Sequence, residues 1–536
     1  ITAGKFPGGI SSGDLSRASD IFNLVTGMLG NIQQGFNHTS PTSGYVPGVP
    51  RTIDPKQQNI SFYFQDGFKW RPNLNIQYGA RWEYQGVFDL RNKLILLPQD
   101  DAAGLWGPTK VGDLFNPGAT TGATDTLLNF AGSNNGKPVY AGDKNNFAPF
   151  FGFAWDPQNN GKTSIRGSFA SHFTQDGFTL YQLASTGNTG LFTVATNSTP
   201  TGVFRTSSNP KPSTPVASFP VSQRNTFNNI SNASNVWYFA SNLATPYVLE
   251  WNLSVQREFW KRMAFEVRYV GNHAVKQYRA WNINEINFGT NGLMTEFLNA
   301  QKNLAIGGAR FDNQGLAGQV ALPIFEKLFT GLPLSSGFSN STFVTQINQN
   351  QIGGMFDTIR RSPTYRANRE ANFPLNFFVA NPFANQALTV DNSGWSYFHG
   401  LEAEVVRRFG TGLFLQANYT FSKVLTDTTF LTSQTEQQNY RFLANRSIDK
   451  FRAGFDVTHS FTANFLYPLP FGRGKWLGGN VNPVVDKFIG GWNLQGLTRW
   501  SSGAPFTITS NRNTLGSLVG TTAVLRNMTA DQLKEH

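Results

Sequence analysis

From Ile60 to Gln85 apolar and polar residues alternate with a period of two. Phe62, Phe64, Phe68 and Trp70 hold one set of alternate positions, broken only by Asp66, with Tyr63, Gln65, Gly67 and Lys69 between them. That period belongs to a strand with one apolar face and excludes a helix here. After Arg71-Pro72-Asn73 the pattern resumes: Leu74, Ile76, Tyr78, Ala80, Trp82 and Tyr84 alternate with Asn75, Gln77, Gly79, Arg81, Glu83 and Gln85. The segment predicts a hairpin of two long strands. Four further pairs follow. Phe151, Phe153 and Trp155 lead into Ile165, Phe169 and Phe173. Leu249 to Phe259 turns at Trp260-Lys261-Arg262 into Met263 to Tyr269, and Tyr397 to Val405 turns at Gly410-Thr411-Gly412 into Leu413 to Phe421. Val457 to Tyr467 precedes Trp492 to Trp500 across a longer link with Gly472-Arg473-Gly474-Lys475. An earlier partner for the strand at Ile60 is expected within Ile21 to Asn37.

The connections between pairs are long: 86–146, 174–246, 272–394 and 424–455. Compact soluble domains rarely carry structureless loops beyond about 15 residues. Strict alternation of short turns with long loops is instead the layout of an outer-membrane barrel with short periplasmic turns and long extracellular loops. Asn-, Gly-, Ser-, Thr- and Pro-rich stretches such as Asn348-Gln349-Asn350-Gln351 predict solvated, irregular loop structure. The expected organisation is a loop and possible first strand over 1–58, a barrel portion over 59–506, and a truncated outer loop or strand start over 507–536.

Period alone does not separate a membrane strand from one side of a soluble sandwich. Strand length does so better, because a tilted membrane strand needs about 9–11 residues and soluble strands average about 5–6. The polar faces also carry ionised groups: Lys69, Arg81, Glu83, Glu250, Glu258, Glu266, Arg268, Glu402 and Glu404. These are expected to face a wet lumen. Aromatics sit at both ends of the apolar stripes, with Trp70, Trp155, Trp260, Phe409 and Tyr467 beside the short turns. Trp82, Tyr84, Phe173, Trp251, Tyr269, Tyr397, Phe421 and Trp500 lie toward the long loops. Two belts on one element predict two membrane interfaces.

Composition agrees. The 536 residues include 48 Phe, 15 Tyr and 12 Trp, only 14% charged residues and no Cys. Disulfide frameworks, thiolate metal sites and cysteine nucleophiles are thereby excluded, and a highly charged helical enzyme is disfavoured. The net charge of +12 comes from Lys and Arg scattered along the chain, not clustered as a nucleic-acid site requires, so no nucleic-acid partner is expected. No run of 18 apolar residues predicts a membrane helix, and Ile1 to Ser12 lacks a signal-peptide layout.

Motifs for chemistry are weak. Gly9-Ile10-Ser11-Ser12-Gly13 satisfies G-x-S-x-G without the strand and helix an esterase elbow needs, and Gly472-Arg473-Gly474-Lys475 lacks phosphate-loop spacing. The six His residues have no ligand spacing. Glu402 and Glu404 share a strand face, where lining a lumen is favoured over acid/base work. Asn-x-Ser/Thr sequons, including Asn197, Asn229 and Asn340, are read as composition. No catalytic residue, metal or cofactor is expected.

Phe62-Tyr63-Phe64-Gln65-Asp66-Gly67-Phe68-Lys69-Trp70-Arg71-Pro72-Asn73-Leu74 with Tyr78-Gly79-Ala80-Arg81-Trp82-Glu83-Tyr84 resembles a hairpin signature of TonB-dependent outer-membrane receptors, most of all the subgroup with a carboxypeptidase-regulatory-like N-terminal domain. Asn146 to Trp155, Trp251 to Glu258, Tyr419 to Lys423, and Leu469 to Lys475 followed by Gly490-Gly491-Trp492 are similar to further stretches of that family, in family order. The resemblance implies a plugged barrel of about 22 strands in the bacterial outer membrane. It also implies TonB-driven import of a bulky, scarce ligand, with lipid, the TonB complex and that unknown ligand as partners. No TonB box or plug is recognisable, and the chain stops at Lys534-Glu535-His536, so it looks like an internal portion of a longer protein. TonB contact would run through a missing N-terminal segment.

The expectation is therefore an all-β, antiparallel transmembrane barrel, incomplete at about 10–12 strands, acting as a transporter and not as an enzyme. A secreted all-β adhesion or glycan-binding protein and a passive porin are the alternatives.

Overall fold

The computed structural model describes all residues except 1, 30, 114–115, 117, 121, 132–136, 175–186, 199–203, 206–210, 225–234, 260–262, 409–411, 429–438, 507–508, 511, 515–520 and 523–536. Trp260, Phe409, the turns at 260–262 and 410–411, the sequon at Asn229 and the chain end at 534–536 lie outside the described residues.

Ten strands follow one another as an antiparallel meander in one sheet. They are β1 (Asn59–Arg71), β2 (Leu74–Gln85), β3 (Asn146–Trp155), β4 (Thr163–Phe173), β5 (Tyr247–Phe259), β6 (Met263–Asn282), β7 (Ala387–Arg408), β8 (Phe414–Thr426), β9 (His459–Pro468) and β10 (Asn493–Ser501). Each pairs with its neighbours in sequence. Among the described residues the outer edges of β1 and β10 carry no partner strand, so the sheet is open. An unpaired edge leaves a row of backbone groups unsatisfied, which hydrocarbon does not tolerate. Both edges therefore demand further strands in a bilayer.

The register shows how thoroughly the period of two sorts the faces. One row across nine strands reads Leu74, Trp155, Ile165, Val255, Val267, Ala403, Tyr419, Phe461 and Trp500. The row one residue away, on the other face, reads Asn75, Ala154, Arg166, Ser254, Arg268, Glu402, Thr420, Ser460 and Ser501. A slip of one residue at any strand would exchange these sets. Large apolar side chains stand uncovered along the first face: Phe62 is 67% exposed, Phe147 64%, Leu253 50% and Trp500 56%. A soluble sandwich would bury this face against a second sheet, and no sheet of the described residues covers it.

Three glycines on the apolar face sit directly opposite rings: Gly167 faces Phe153, Gly271 faces Trp251, and Gly496 faces Phe465. A methyl group at any of them would come within 2.5 Å of that ring. The rings lie down over bare backbone, a cross-strand pairing that holds aromatics flat against the sheet.

The buried core lies elsewhere, in a cap built from the long connections at one end of the sheet. The structure departs here from the irregular loops expected from composition. Between β6 and β7 five helices fold: α1 (Leu293–Gly307), α2 (Pro323–Phe329), α3 (Ser341–Asn348), α4 (Ile352–Arg361) and α5 (Arg366–Asn372). Leu293, Phe297, Phe325, Phe329, Phe343, Met355, Phe356 and Ile359 form their dry centre. Beside it Val236–Phe239 adds in parallel to the first residues of β7, and Phe88, Ile95, Trp237, Phe239, Leu388 and Val390 pack together. Both β6 and β7 run further into this cap than the expected loop bounds of 272 and 394.

Asparagine explains how such a polar-looking segment buries. Asn188 donates to the carbonyls of Leu96 and Trp237 and accepts from Trp237 N–H. Asn381 donates to the Leu105 carbonyl and its N–H bonds Asn284 Oδ1, while Asn284 returns bonds to the carbonyls of Asn381 and Ala384. Asn303 bonds both backbone groups of Val320. Each side-chain amide stands in for a peptide group that irregular backbone would otherwise leave unpaired.

The N-terminal expectation is also corrected. Ile21 to Asn37 is not a strand beside β1: Ser12–Val25 is a helix capped by Ser11, and Asn31–Asn37 pairs with Phe192–Ser198 in a separate small sheet. Ser11 accepts from Asp14 N–H as that cap, the role its Ser-x-x-Asp spacing suits.

Replacing Gly271 by Val should lift Trp251 off the sheet and lower unfolding stability by about 1–3 kcal/mol. Trp251 fluorescence and the denaturant midpoint in detergent would report it, and an unchanged midpoint would count against the ring-over-glycine packing.

Candidate functional site

The nine charged residues expected on one wall share one face of the sheet, Glu258 standing opposite Ala264. Lys69 stands opposite Asn75, Glu83 opposite Ser61, Glu250 opposite Asn272, Glu266 opposite Glu404, and Arg268 opposite Glu402. They are not one cluster. Arg268 joins β6 to β7, donating to Glu266 of its own strand at 2.8 Å and to Glu402 at 3.3 Å, while Gln416 of β8 donates to Glu404 at 2.6 Å. The Glu266–Glu404 pairing sets like charges face to face, and Arg268 with the Gln416 amide offsets it. A cavity of about 510 Å³ adjoins this group, lined also by Lys162, Arg166 and Glu258. Near the cap, Arg81 bonds Glu83 at 3.2 Å and Ser61 at 3.0 Å, beside a second cavity of about 400 Å³ that includes His172. His172 lies 3.7 Å from Glu250. Lys69 stands alone near the short-turn end. Glu402 and Glu404 are held by cation and amide donors, which gives them a pairing role and no nucleophile or base geometry.

The boundary aromatics lie on the opposite, apolar face. Trp155 neighbours Leu74 and Ile165, Tyr467 faces Leu494, and Trp70 occupies the bulge where β1 shifts register between Lys69 and Arg71. Toward the cap, Trp82 donates its indole N–H to the Lys144 carbonyl, Tyr84 faces Ile60, Trp251 overlies Gly271, and Trp500 faces Phe461. Tyr269 Oη lies 2.8 Å from His399 Nδ1, and Tyr419 Oη 2.7 Å from His459 Nδ1. His273 stacks on Tyr397 with centroids 3.8 Å apart. Three histidines thus join the tyrosines on the apolar face, an association that single-strand periodicity does not show.

The cap holds functional groups that the sequence reading missed. Arg279 is buried against Asp427 at 3.4 Å and lies 3.5 Å from the Tyr440 ring centroid. Below it, Glu285 accepts Leu443 N–H on Oε2 while Oε1 has no partner. Burial, with the Asp449 carboxyl nearby, pushes Glu285 up to about 8. Around a separate cavity stand Arg360, Arg366 and Arg369 from α4 and α5. A signal for these helices was present: Ile352, Met355, Phe356 and Ile359 repeat at i, i+3, i+4 and i+7, a helical period inside a segment classed by composition.

Residues 5–535 match the family model described as an outer membrane beta barrel domain, and the chain belongs to that family. It is a protein of the bacterial outer membrane. No curated protein matches it. Among solved structures it is similar to the ferripyoverdine receptor of Pseudomonas aeruginosa, at 11% identity and a TM-score of 0.33, over 87% of this chain and 31% of that one. It is similar also to the outer membrane transporter YddB of Escherichia coli, at 9% and 0.32, over 77% and 40%. A third is the alcaligin outer membrane receptor FauA of Bordetella pertussis, at 9% and 0.29, over 84% and 38%. The matches thus span well under half of those structures.

Glu285 gives the cap a pH signature. Its folded value lies above its ordinary 4.5, so the folded cap holds a proton that the unfolded chain releases earlier. Its neutral form is tolerated at low pH, and stability is lost as pH rises from about 4.5 through about 8. Cap melting temperature should fall across that window, and Glu285→Gln, which keeps an acceptor for Leu443 N–H, should flatten the fall. Parallel wild-type and variant profiles would refute the assignment.

Proposed function

We propose that the ten strands are part of the lipid-spanning wall of a TonB-dependent transporter that imports a bulky, scarce ligand. The observation that carries this reading is the predominantly apolar face that continues from strand to strand across the sheet, interrupted at Asp66 and near its ends by His273, His399 and His459, and backed by a charged face one residue out of phase. In the reading, Trp70, Trp155 and Tyr467 mark the periplasmic boundary, and Trp82, Tyr84, Trp251, Tyr269 and Trp500 the outer one, where amphipathic rings are stable at headgroup level. Lys69, Arg81, Glu83, Glu250, Glu266, Arg268, Glu402 and Glu404 line water. The charge pairs among them keep the wall hydrated while leaving donors and acceptors for solute or plug.

The cap faces the cell exterior and captures ligand; passage through the lumen is gated by a plug coupled to the TonB complex through an N-terminal segment. The work is binding and energised gating, with no covalent chemistry. The sequence motifs support this class, as does the family's outer-membrane barrel. The solved structures bear on it only through what they themselves are: one is named as the receptor of ferripyoverdine, another as a transporter.

The carrying assignment is tested by a pair of substitutions on adjacent residues of β5. Leu253→Arg puts a cation on the apolar face and should cost about 2–4 kcal/mol of stability in bilayers, whereas Asn252→Arg on the polar face should cost little. Folding would be followed by heat-modifiable gel mobility and denaturant titration. In a secreted adhesion protein with both faces in water, Leu253→Arg would be neutral or improve solubility, and that outcome would overturn the proposal.

A further inference from the structure

The cap contains a cavity of about 280 Å³ at the junction of α4, α5 and the chain that follows them. Its wall is mixed in composition. Arg224, Arg360, Arg366 and Arg369 line it together with Phe373, Phe378, Phe383, Leu375 and neighbouring prolines. Arg224 lies with its guanidinium 5.2 Å from the Phe383 ring centroid. The balance of charge is uneven. Asp357 serves both Arg360, at 2.9 Å, and Arg361, at 2.8 Å. Glu370, the one carboxylate lining the cavity among the described residues, pairs with Arg366 at 2.8 Å. Arg369 is buried and donates Nη1 to the carbonyls of Ile359 and Ser362, with no acidic side chain among the described residues in ion-pair contact.

A buried cation whose direct acceptors are backbone carbonyls is a costly arrangement, and the nearby Glu370 carboxylate, itself paired with Arg366, offsets only part of that cost. Burial, and then the neighbouring Arg360 charge, outweigh the Glu370 carboxylate and push the Arg369 guanidinium down to about 10. An anion entering the cavity would relieve both effects. Guanidinium presents a planar fork that matches a carboxylate in two parallel bonds, and the phenyl rings offer a face for a flat apolar body. Few polar groups converging in a largely apolar cavity is the usual form of a small-ligand site.

We propose that this cavity binds an organic carboxylate, its anionic end at Arg369 with Arg366 and Arg224 at the mouth, and its aromatic body against Phe373 and Phe383. This rests on reading the cap as the ligand-capturing part of a transporter, and it assigns that ligand, or a terminal group of it, to the aromatic carboxylates.

The probe is 2-naphthoate titrated calorimetrically into the full chain in detergent micelles, against 2-naphthamide and inorganic phosphate. Naphthoate should bind, with naphthamide and phosphate each at least about tenfold weaker, since one lacks the charge and the other the apolar body. Arg366→Gln and Arg224→Gln, at the mouth, should each weaken naphthoate severalfold with melting temperature unchanged, and Arg369→Lys should weaken it more, by keeping charge but losing the fork. Equal binding of naphthamide, phosphate as tight as naphthoate, or mouth variants indistinguishable from wild type would each overturn the proposal. Heat-modifiable mobility of the same samples separates the two readings. A barrel that binds no naphthoate sinks this site alone, whereas naphthoate binding by a water-soluble chain would sink the membrane reading and leave the site standing.

Discussion

Hydrocarbon imposes a single demand that organises this molecule: every backbone polar group within it must be paired, and every side chain facing it must be apolar. The meander meets the first demand strand by strand, from β1 to β10, and the second through one largely apolar face. Phe and Trp on that face have no other means of leaving water. The same demand makes the edges of β1 and β10 informative, since two long strands exposed on their outer sides are stable in a bilayer only when further strands close them. Lipid thus accounts for the order of the strands, their length and their register together.

Outside the bilayer the rule changes, and so does the way the chain buries surface. The cap is ordinary water-soluble structure with a Phe-rich centre, and its irregular segments are held by asparagine amides placed where a helix or sheet would supply peptide partners. The large apolar content of the chain is therefore divided between two solvents. Phe62 and Phe147 remain uncovered, as the proposed lipid-facing wall requires, whereas Phe297 and Phe356 pack against one another in the dry centre of the cap.

That division explains what could be read from the chain. The strands were legible because a period of two is local: Phe62 to Trp70 and Leu74 to Tyr84 declare their faces without knowledge of any partner. The shared face of Glu266, Arg268, Glu402 and Glu404 followed from the same period. The cap was not legible because its order is nonlocal. Val236 to Phe239 pair with residues beyond 386, and Asn188 bonds Leu96 and Trp237. Counting asparagine as a marker of solvated loops took a buried bracket for a surface residue. The helical period at Ile352, Met355, Phe356 and Ile359 could have been seen, and with it the arginines of α4 and α5. Their convergence with Arg224 depends on a contact across more than a hundred residues that no local pattern encodes.

The two regions are joined by β6, which rises from the wall and ends in the cap core, and by β7, which begins in that core and descends into the wall. Between them the register shifts twice, from Ala274 to Gln277 and from Gln277 to Arg279, with Lys276 at a positive φ of 58°. Gly394 opposite has no room for a side chain, since a methyl there would meet Thr428 at 2.6 Å. Bulges of this kind bend and twist a ladder without ending it. Asn392 closes the bend by bonding the carbonyls of Lys276 and Ala244, and Arg279 then anchors the upper strand to Asp427, just past the end of β8. A load on the cap therefore reaches the wall through two continuous strands and a buried ion pair. Whatever the cap holds is mechanically continuous with the face that carries Arg268 and its carboxylates.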